Sequence, residues 1–229
     1  MARIVKQEEY NAKRNEILNV AQNFVYTKGY EQMTIQDILT ELGISKGTFF
    51  HYFTSKQAML EALVERFMDQ GEEQITPIVK DEDLSAIEKL NNYFAVAGKW
   101  KVGQKDYLIS LMRVWYSDDN AIIRQKMLTY STKRISPLLS AIILQGLHEG
   151  KFKPSFPDYA GEVVLSLIQS VWDRLSMMIL TDEHDGNSID QMRIMLAAYT
   201  DSIEKVLGIP ESTLRLIDDE TMKHWFNIN

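Results

Sequence analysis

Cysteine is absent from the 229 residues, which removes disulfides, thiolate metal sites and thiol catalysis from consideration. Histidine is sparse and scattered: His51, His148, His184 and His224 include no pair at a metal-ligand spacing. No glycine-rich phosphate loop is present, since the stretch Gly43 to Thr48 lacks the required spacing. The acidic pairs at Asp118-Asp119 and Asp218-Asp219-Glu220 read as helix-start or loop residues, where negative charge suits a helix N-terminus. No convergent catalytic set emerges, so an enzyme, a resident metal and a cofactor are all unexpected. Uninterrupted apolar runs of roughly 18 residues are also missing, which argues against a membrane span. The opening MARIVKQEEY has no apolar core, so no secretory leader is expected and a cytoplasmic location follows.

What is present is helix. Hydrophobic residues make up 45% and charged residues 25%, an ordinary globular balance. Strict β-type alternation is lacking, and Gly or Pro sites punctuate long apolar periodicities instead. The expected class is all-α. A first helix is predicted from about Tyr10 to Lys28, with Ile17, Leu18, Ala21, Phe24 and Val25 on one face and Gly29 as its stop. A second begins at Thr34, where Asp37 completes a capping box and Met33 and Ile38 have staple spacing. A third begins at Ser45, with Ile44 and Phe49 at the same spacing. Thr54 and Gln57 form a further capping box, opening a long fourth helix that decays between Gly71 and Pro77. Beyond it helices are placed near 84–103, 105–117, 119–148, 157–181 and 188–207, with a tail helix near 211–226. Pro137 is expected to kink or split its helix, and the sequences GKFKPSFP from Gly150 and His184-Asp185-Gly186-Asn187 are expected breaks. Residues 1–56 are read as one domain, carrying the start of helix four, and residues 57–229 as a second.

The stretch from Thr34 to Lys56, TIQDILTELGISKGTFFHYFTSK, has the layout of a helix-turn-helix. Ile35, Ile38, Leu39 and Leu42 would pack the crossing helix, and Gly43 permits the left-handed backbone of a tight turn. In the reader helix, Phe49 and Phe53 lie four apart and are assigned to the core. Thr34, Ser45, Lys46, Gly47, Thr48, Phe50, His51, Tyr52 and Lys56 are the candidates for DNA contact. Hydroxyl, imidazole and ammonium groups can meet phosphates or base edges, and Phe50 can meet a thymine methyl. Arg3, Lys6, Lys13 and Arg14 could add backbone contacts from an amino-terminal arm. The net charge of −7 is unevenly spread: residues 1–60 hold seven basic and six acidic side chains, leaving 18 basic and 26 acidic ones beyond. The amino-terminal part therefore tolerates phosphate and the remainder repels it.

These residues resemble the TetR family of transcriptional regulators. The resemblance runs through Thr34, Ile38, Gly43-Ile44-Ser45, Gly47-Thr48, Phe50, Phe53, Ser55-Lys56 and Met59-Leu60, with Ala21, Phe24, Gly29 and Tyr30 upstream. About 60 residues carry it strongly. Gly146 and Gly150-x-Phe152 look like the link the family places before its dimer helices. Leu39 and Leu42 depart from the small residues common in the crossing helix, and Phe50 stands where a phosphate-touching tyrosine is usual. The resemblance implies a three-helix DNA-binding head on a helical ligand-binding and dimerisation bundle. Its function would be a ligand-responsive regulator, most often a repressor released from a palindromic operator on double-stranded DNA. The alternative is a helical interaction module or sensor that has lost specific DNA binding.

The body is rich in aromatics and methionine, Tyr93 and Phe94 among them. Either these fill a core or some of them line a pocket between helices for a hydrophobic or aromatic small-molecule effector. The candidate lining is Trp100, Tyr107, Met112, Trp115, Tyr116, Tyr130 and Trp172, with Arg113, Arg134 and Asp173 as possible polar anchors. Residues 160–180 are apolar on almost every face, which suits either a homodimer interface built with the 188–207 helix or the core of a large monomer.

Overall fold

The computed structural model describes residues 2–181 and 186–226. Among them are ten α-helices and no strand. In chain order they are α1 (Ala2–Lys28), α2 (Ile35–Leu42), α3 (Lys46–Tyr52), α4 (Lys56–Lys80), α5 (Ala86–Gly103), α6 (Lys105–Trp115), α7 (Ala121–His148), α8 (Pro157–Thr181), α9 (Gly186–Leu207) and α10 (Asp219–Phe226), with a 3-10 turn at Asp118–Asn120. The all-α expectation is met. Of the predicted break at 184–187, His184 and Asp185 lie outside the described residues, while Gly186 and Asn187 already belong to α9.

Several boundaries differ from the sequence reading. Helix α1 starts at Ala2 rather than Tyr10; the pattern there lacks an apolar stripe, so periodicity alone had no purchase. Helix α4 is capped by Ser55, whose Oγ accepts from the Ala58 amide at 2.9 Å, not by Thr54. It continues through Pro77 to Lys80. Proline so near the end removes a single amide from the ladder, leaving only the carbonyl four residues earlier, on exposed Glu73, without its usual donor. Pro137 likewise sits inside an unbroken α7. The tail helix begins only at Asp219, because residues 209–218 form a loop.

The chain divides into two compact units. The first comprises residues 1–68 and 106–124, and holds α1 to α3, the first half of α4, and α6. Its core is built from Ile17, Leu18, Met33, Ile38, Phe49 and Met59, each fully or almost fully buried. Arg66 of α4 donates to the Leu18 carbonyl at 3.2 Å, to Asn19 Oδ1 at 2.8 Å and to Gln22 of α1. Burial holds this guanidinium below its ordinary pKa.

The second unit comprises residues 69–105 and 125–229. Leu90, Leu139, Ile142, Phe152, Val164, Ile203 and Leu207 anchor its core, and α8 packs along α9. Arg134 of α7 grips the second half of α4, pairing with Asp69 and, at 2.6 Å, with Glu72. Helix α8 is the one described helix long and apolar enough by length and composition to cross a membrane. Its apolar character has a second use in the protein interior, where Val164, Leu165, Val171 and Leu175 are buried.

The turn after α7 depends on close approach. A Cβ on Gly146 would lie 2.3 Å from the Phe152 ring, which is 1% exposed, while Gly146 O accepts the amides of Lys151 and Phe152. Gly146→Ala should therefore destabilise the protein by about 1–3 kcal/mol through overpacking, despite alanine's better helix propensity. Urea unfolding checks this; an unchanged midpoint would mean that the ring can move aside.

Candidate nucleic-acid interface and internal cavity

The first unit presents α3 on a frame of local hydrogen bonds. Thr34 caps α2: its Oγ1 accepts the Asp37 amide at 3.1 Å, and its own amide and hydroxyl donate to Asp37 Oδ2 at 2.7 and 2.8 Å. Lys28 closes on the same oxygen at 2.6 Å. This lysine contact, with the Thr34 donors, holds the Asp37 carboxyl down to about 2. Met33 and Ile38 are buried together as the staple requires. Gly43 then turns at φ 59° and ψ 32°, and the Ile44 amide returns to Leu39 O at 3.1 Å. Ser45 caps α3, accepting the Thr48 amide at 3.0 Å.

The faces of α3 separate cleanly. Phe49 and Phe53 are buried, with Arg14 5.2 Å over the Phe53 ring. Ser45, Lys46, Gly47, Phe50 and His51 are exposed, and Thr48 and Tyr52 are half-buried. Phe50 is 41% exposed, so its ring edge is free to meet an apolar group on a ligand. Lys46 Nζ lies 5.9 Å from the Phe50 ring centre. Tyr52 stacks on Tyr10 at 4.7 Å, and His51 meets the same ring edge-on at 5.6 Å. Lys56 is partly engaged in its own unit: its Nζ donates to Glu31 O at 3.3 Å and sits 4.1 Å over Tyr30, and desolvation lowers its pKa. Burial in turn pushes the Tyr30 phenol up to about 12. Of the arm residues, Lys13 is paired to Glu16 at 2.7 Å, and the side chains of Arg3 and Lys6 lie outside the described residues.

The candidate lining residues are divided between the two units. Tyr107, Met112, Trp115 and Tyr116 belong to the first unit, where Tyr107 packs 6.1 Å from Phe67, Met112 is buried, and Tyr116 lies under Arg124. Trp100, Tyr130 and Trp172 belong to the second. There Trp100 covers Gly71, a Cβ on which would come within 3.1 Å, and Tyr130 is held by Arg134 and by Asp69 at 3.3 Å. Only Trp172 lines the cavity of about 100 Å³ found in the second unit. Arg134, one of the suggested anchors, is committed to ion pairs.

That cavity lies between α5, α8 and α10. Tyr93, Phe94, Ala97, Gly98 and Lys101 of α5 face Ile168, Trp172 and Leu175 of α8, and Met222, Trp225 and Phe226 of α10 close it. Trp172 and Trp225 meet edge to face at 6.0 Å. Lys101 Nζ sits 3.8 Å over the Trp172 ring, and burial brings its pKa down to about 8. Burial also raises the Tyr93 phenol to about 12. The sequence reading placed a tail helix near 211–226 but assigned neither it nor Lys101 to a pocket. A signal was available, since Met222, Trp225 and Phe226 share one helical face and Tyr93, Ala97 and Lys101 another.

Comparison with known proteins comes down on the same side. Residues 17–63 match the model of bacterial regulatory proteins of the tetR family, and residues 111–181 match that of the tetracyclin repressor-like C-terminal domain. Together they span about half of the chain. The HTH-type transcriptional repressor DhaR of Mycobacterium sp. (strain GP1) is 23% identical over 180 residues, covering 78% of this chain and 88% of its own length. The HTH-type transcriptional regulator YfiR of Bacillus subtilis is 25% identical over 159 residues, covering 67% and 74%. The crystal structure of a regulator from Pectobacterium atrosepticum aligns with a TM-score of 0.61 at 17% identity, covering 89% of this chain and 98% of that one.

The Asp37 geometry carries a pH consequence. An ordinary aspartate titrates near ~4, so the depressed folded value means that this cap contributes stability above that pH and loses it as pH falls towards 2. An NMR titration should find Asp37 near 2 in the parent and shifted upward in Lys28→Met. An unshifted value in the variant would show that Lys28 is not the chief cause.

Proposed function

The chain belongs to the TetR family of transcriptional regulators, and from that premise we propose that it is a repressor released from a palindromic DNA operator by a hydrophobic small molecule. The observation that carries this reading is the division of α3, with Phe49 and Phe53 committed to the core while Lys46, Gly47, Phe50 and His51 face outward. A short helix with that division is what major-groove reading requires. On this reading residues 1–56 are the DNA-binding domain and residues 57–229 the effector and dimerisation domain. Lys46, His51 and Lys56 approach phosphates, while Thr34, Ser45, Gly47, Thr48 and Tyr52 frame the contact and Phe50 meets a thymine methyl.

Regulators of this family bind DNA and small-molecule effectors and form dimers. For this chain the dimer is proposed through α8 and α9. Tyr159, Val163 and Met177 of α8 lie along one side of that helix and stay 66%, 42% and 50% exposed, and Ile194 of α9 is 71% exposed. Apolar side chains repeated along one helix face call for a covering surface, and two reader helices are needed to span two half-sites. Effector binding in the second unit would act on the DNA-reading head through α4, a single helix whose two halves belong to different units, with coupling of about 1–3 kcal/mol. On this reading the protein acts on chromosomal DNA and so works in the cytoplasm.

Gel shifts on genomic fragments at several salt concentrations test the DNA reading. Lys46→Ala should weaken binding on all sequences and lower the salt slope by about 1, while His51→Ala should weaken it with the fold intact. Normal binding by both variants would move the interface elsewhere, and failure of the parent to bind any fragment would favour an interaction module without DNA specificity. Sedimentation equilibrium should show a dimer that Tyr159→Glu with Val163→Glu converts to a monomer of unchanged helicity. A monomeric parent at micromolar concentration would overturn the dimer.

A further inference from the structure

The cavity of the second unit has walls of one kind and a single charge. None of its described lining residues is acidic, and Lys101 is the one cation among them. Its ammonium rests on the Trp172 face at 3.8 Å, a contact that satisfies charge in part, and among the described residues no oxygen acceptor takes one of its N–H groups. Burial has already lowered its proton affinity, the mark of a cation short of compensation. A charged ligand reaching this site would find a half-buried ammonium with donors to spare, and beside it the hydrocarbon of Ile168 and Leu175 and the indole ring of Trp225.

We infer that the ligand of this cavity is a small carboxylic acid with a compact apolar body, its carboxylate on Lys101 and its body between Trp172 and Trp225. This rests on the proposed effector role of the second unit and narrows it to a chemical class. One cation suits a monoanion; a phosphate or phosphate ester carries more charge and needs more donors than this lining holds. The size follows from the space, about 100 Å³, on the scale of a single ring. Tyr93 stands about two helical turns from Lys101 on α5, roughly 12 Å along the axis, and lines the same cavity.

Isothermal titration of the full-length protein near neutral pH, with quenching of Trp172 and Trp225 fluorescence as a second readout, compares benzoate, phenylacetate and hexanoate with their primary amides and with indole. The expected result is that at least one acid binds roughly tenfold or more tightly than its amide, that Lys101→Met abolishes the preference while keeping amide binding, and that Lys101→Arg retains it. Thermal unfolding of each variant confirms that it is folded. Equal affinity for acid and amide, or a preference that survives Lys101→Met, overturns the carboxylate assignment and leaves the effector cavity standing. Binding of indole or the amides without any acid does the same. If acids, amides and indole all fail to bind at millimolar concentration, this inference and the effector cavity fall together.

Discussion

At φ 59° and ψ 32°, Gly43 bends the chain from α2 into α3 through a backbone region that side-chain-bearing residues enter only with strain. The angle between crossing and reading helices is set there, and everything the first unit can offer to a duplex depends on it. The surrounding bonds lock the turn from both sides: the Ile44 amide closes on Leu39, Ser45 caps the next helix, and the Thr34–Asp37–Lys28 cluster ties the start of α2 to the end of α1. Phe49 and Phe53 then sink into the core, so α3 cannot roll about its own axis without exposing two aromatic rings. Orientation of the outward residues follows from that burial and not from any interaction they make themselves.

The second unit solves a different problem, that of keeping a hollow. Holding α10 across the cavity takes a loop whose backbone amides must be satisfied away from any helix. Glu204, 2% exposed, supplies both acceptors, taking the Ser212 amide at 3.1 Å and the Leu214 amide at 2.8 Å. Asn91 of α5 completes the anchoring, donating to Thr213 O and accepting from the Arg215 amide. A buried carboxylate saturated by backbone donors is a rigid fixture. The void it helps to maintain is bounded by large, stiff indoles on two sides, which resist collapse better than flexible side chains would.

How much of this could be read from the residues varied with the range of the interaction. Helix caps, staples and the Gly43 turn act over three to five positions, so Thr34, Asp37, Ser45 and the buried pair Phe49 and Phe53 were legible, as was the all-α class. The cap of α4 was misassigned by one position because Thr54 and Ser55 are both competent and only the backbone decides between them. The pattern of helix four decays between Gly71 and Pro77, yet the helix runs on to Lys80, because proline in a last turn removes little. The cavity was the least legible element. Its walls come from residues 93–101, 168–179 and 216–226 with Met192 of α9, and periodicity names the apolar face of each helix without saying which distant face it meets. Counting aromatics and methionines collected Tyr107 and Met112, which are buried in the first unit, and did not reach Lys101, because a lone lysine in a helix usually faces water.

The two units also differ in when they can exist. All the helices of the DNA-reading unit lie upstream of residue 125, whereas the hollow needs α10, roughly a hundred residues later in the order of synthesis. Domains generally fold as they leave the ribosome, so a nascent chain acquires its recognition surface well before its walls are complete. For an interval during each round of translation, every residue of the first unit has been made while those of α10 have not.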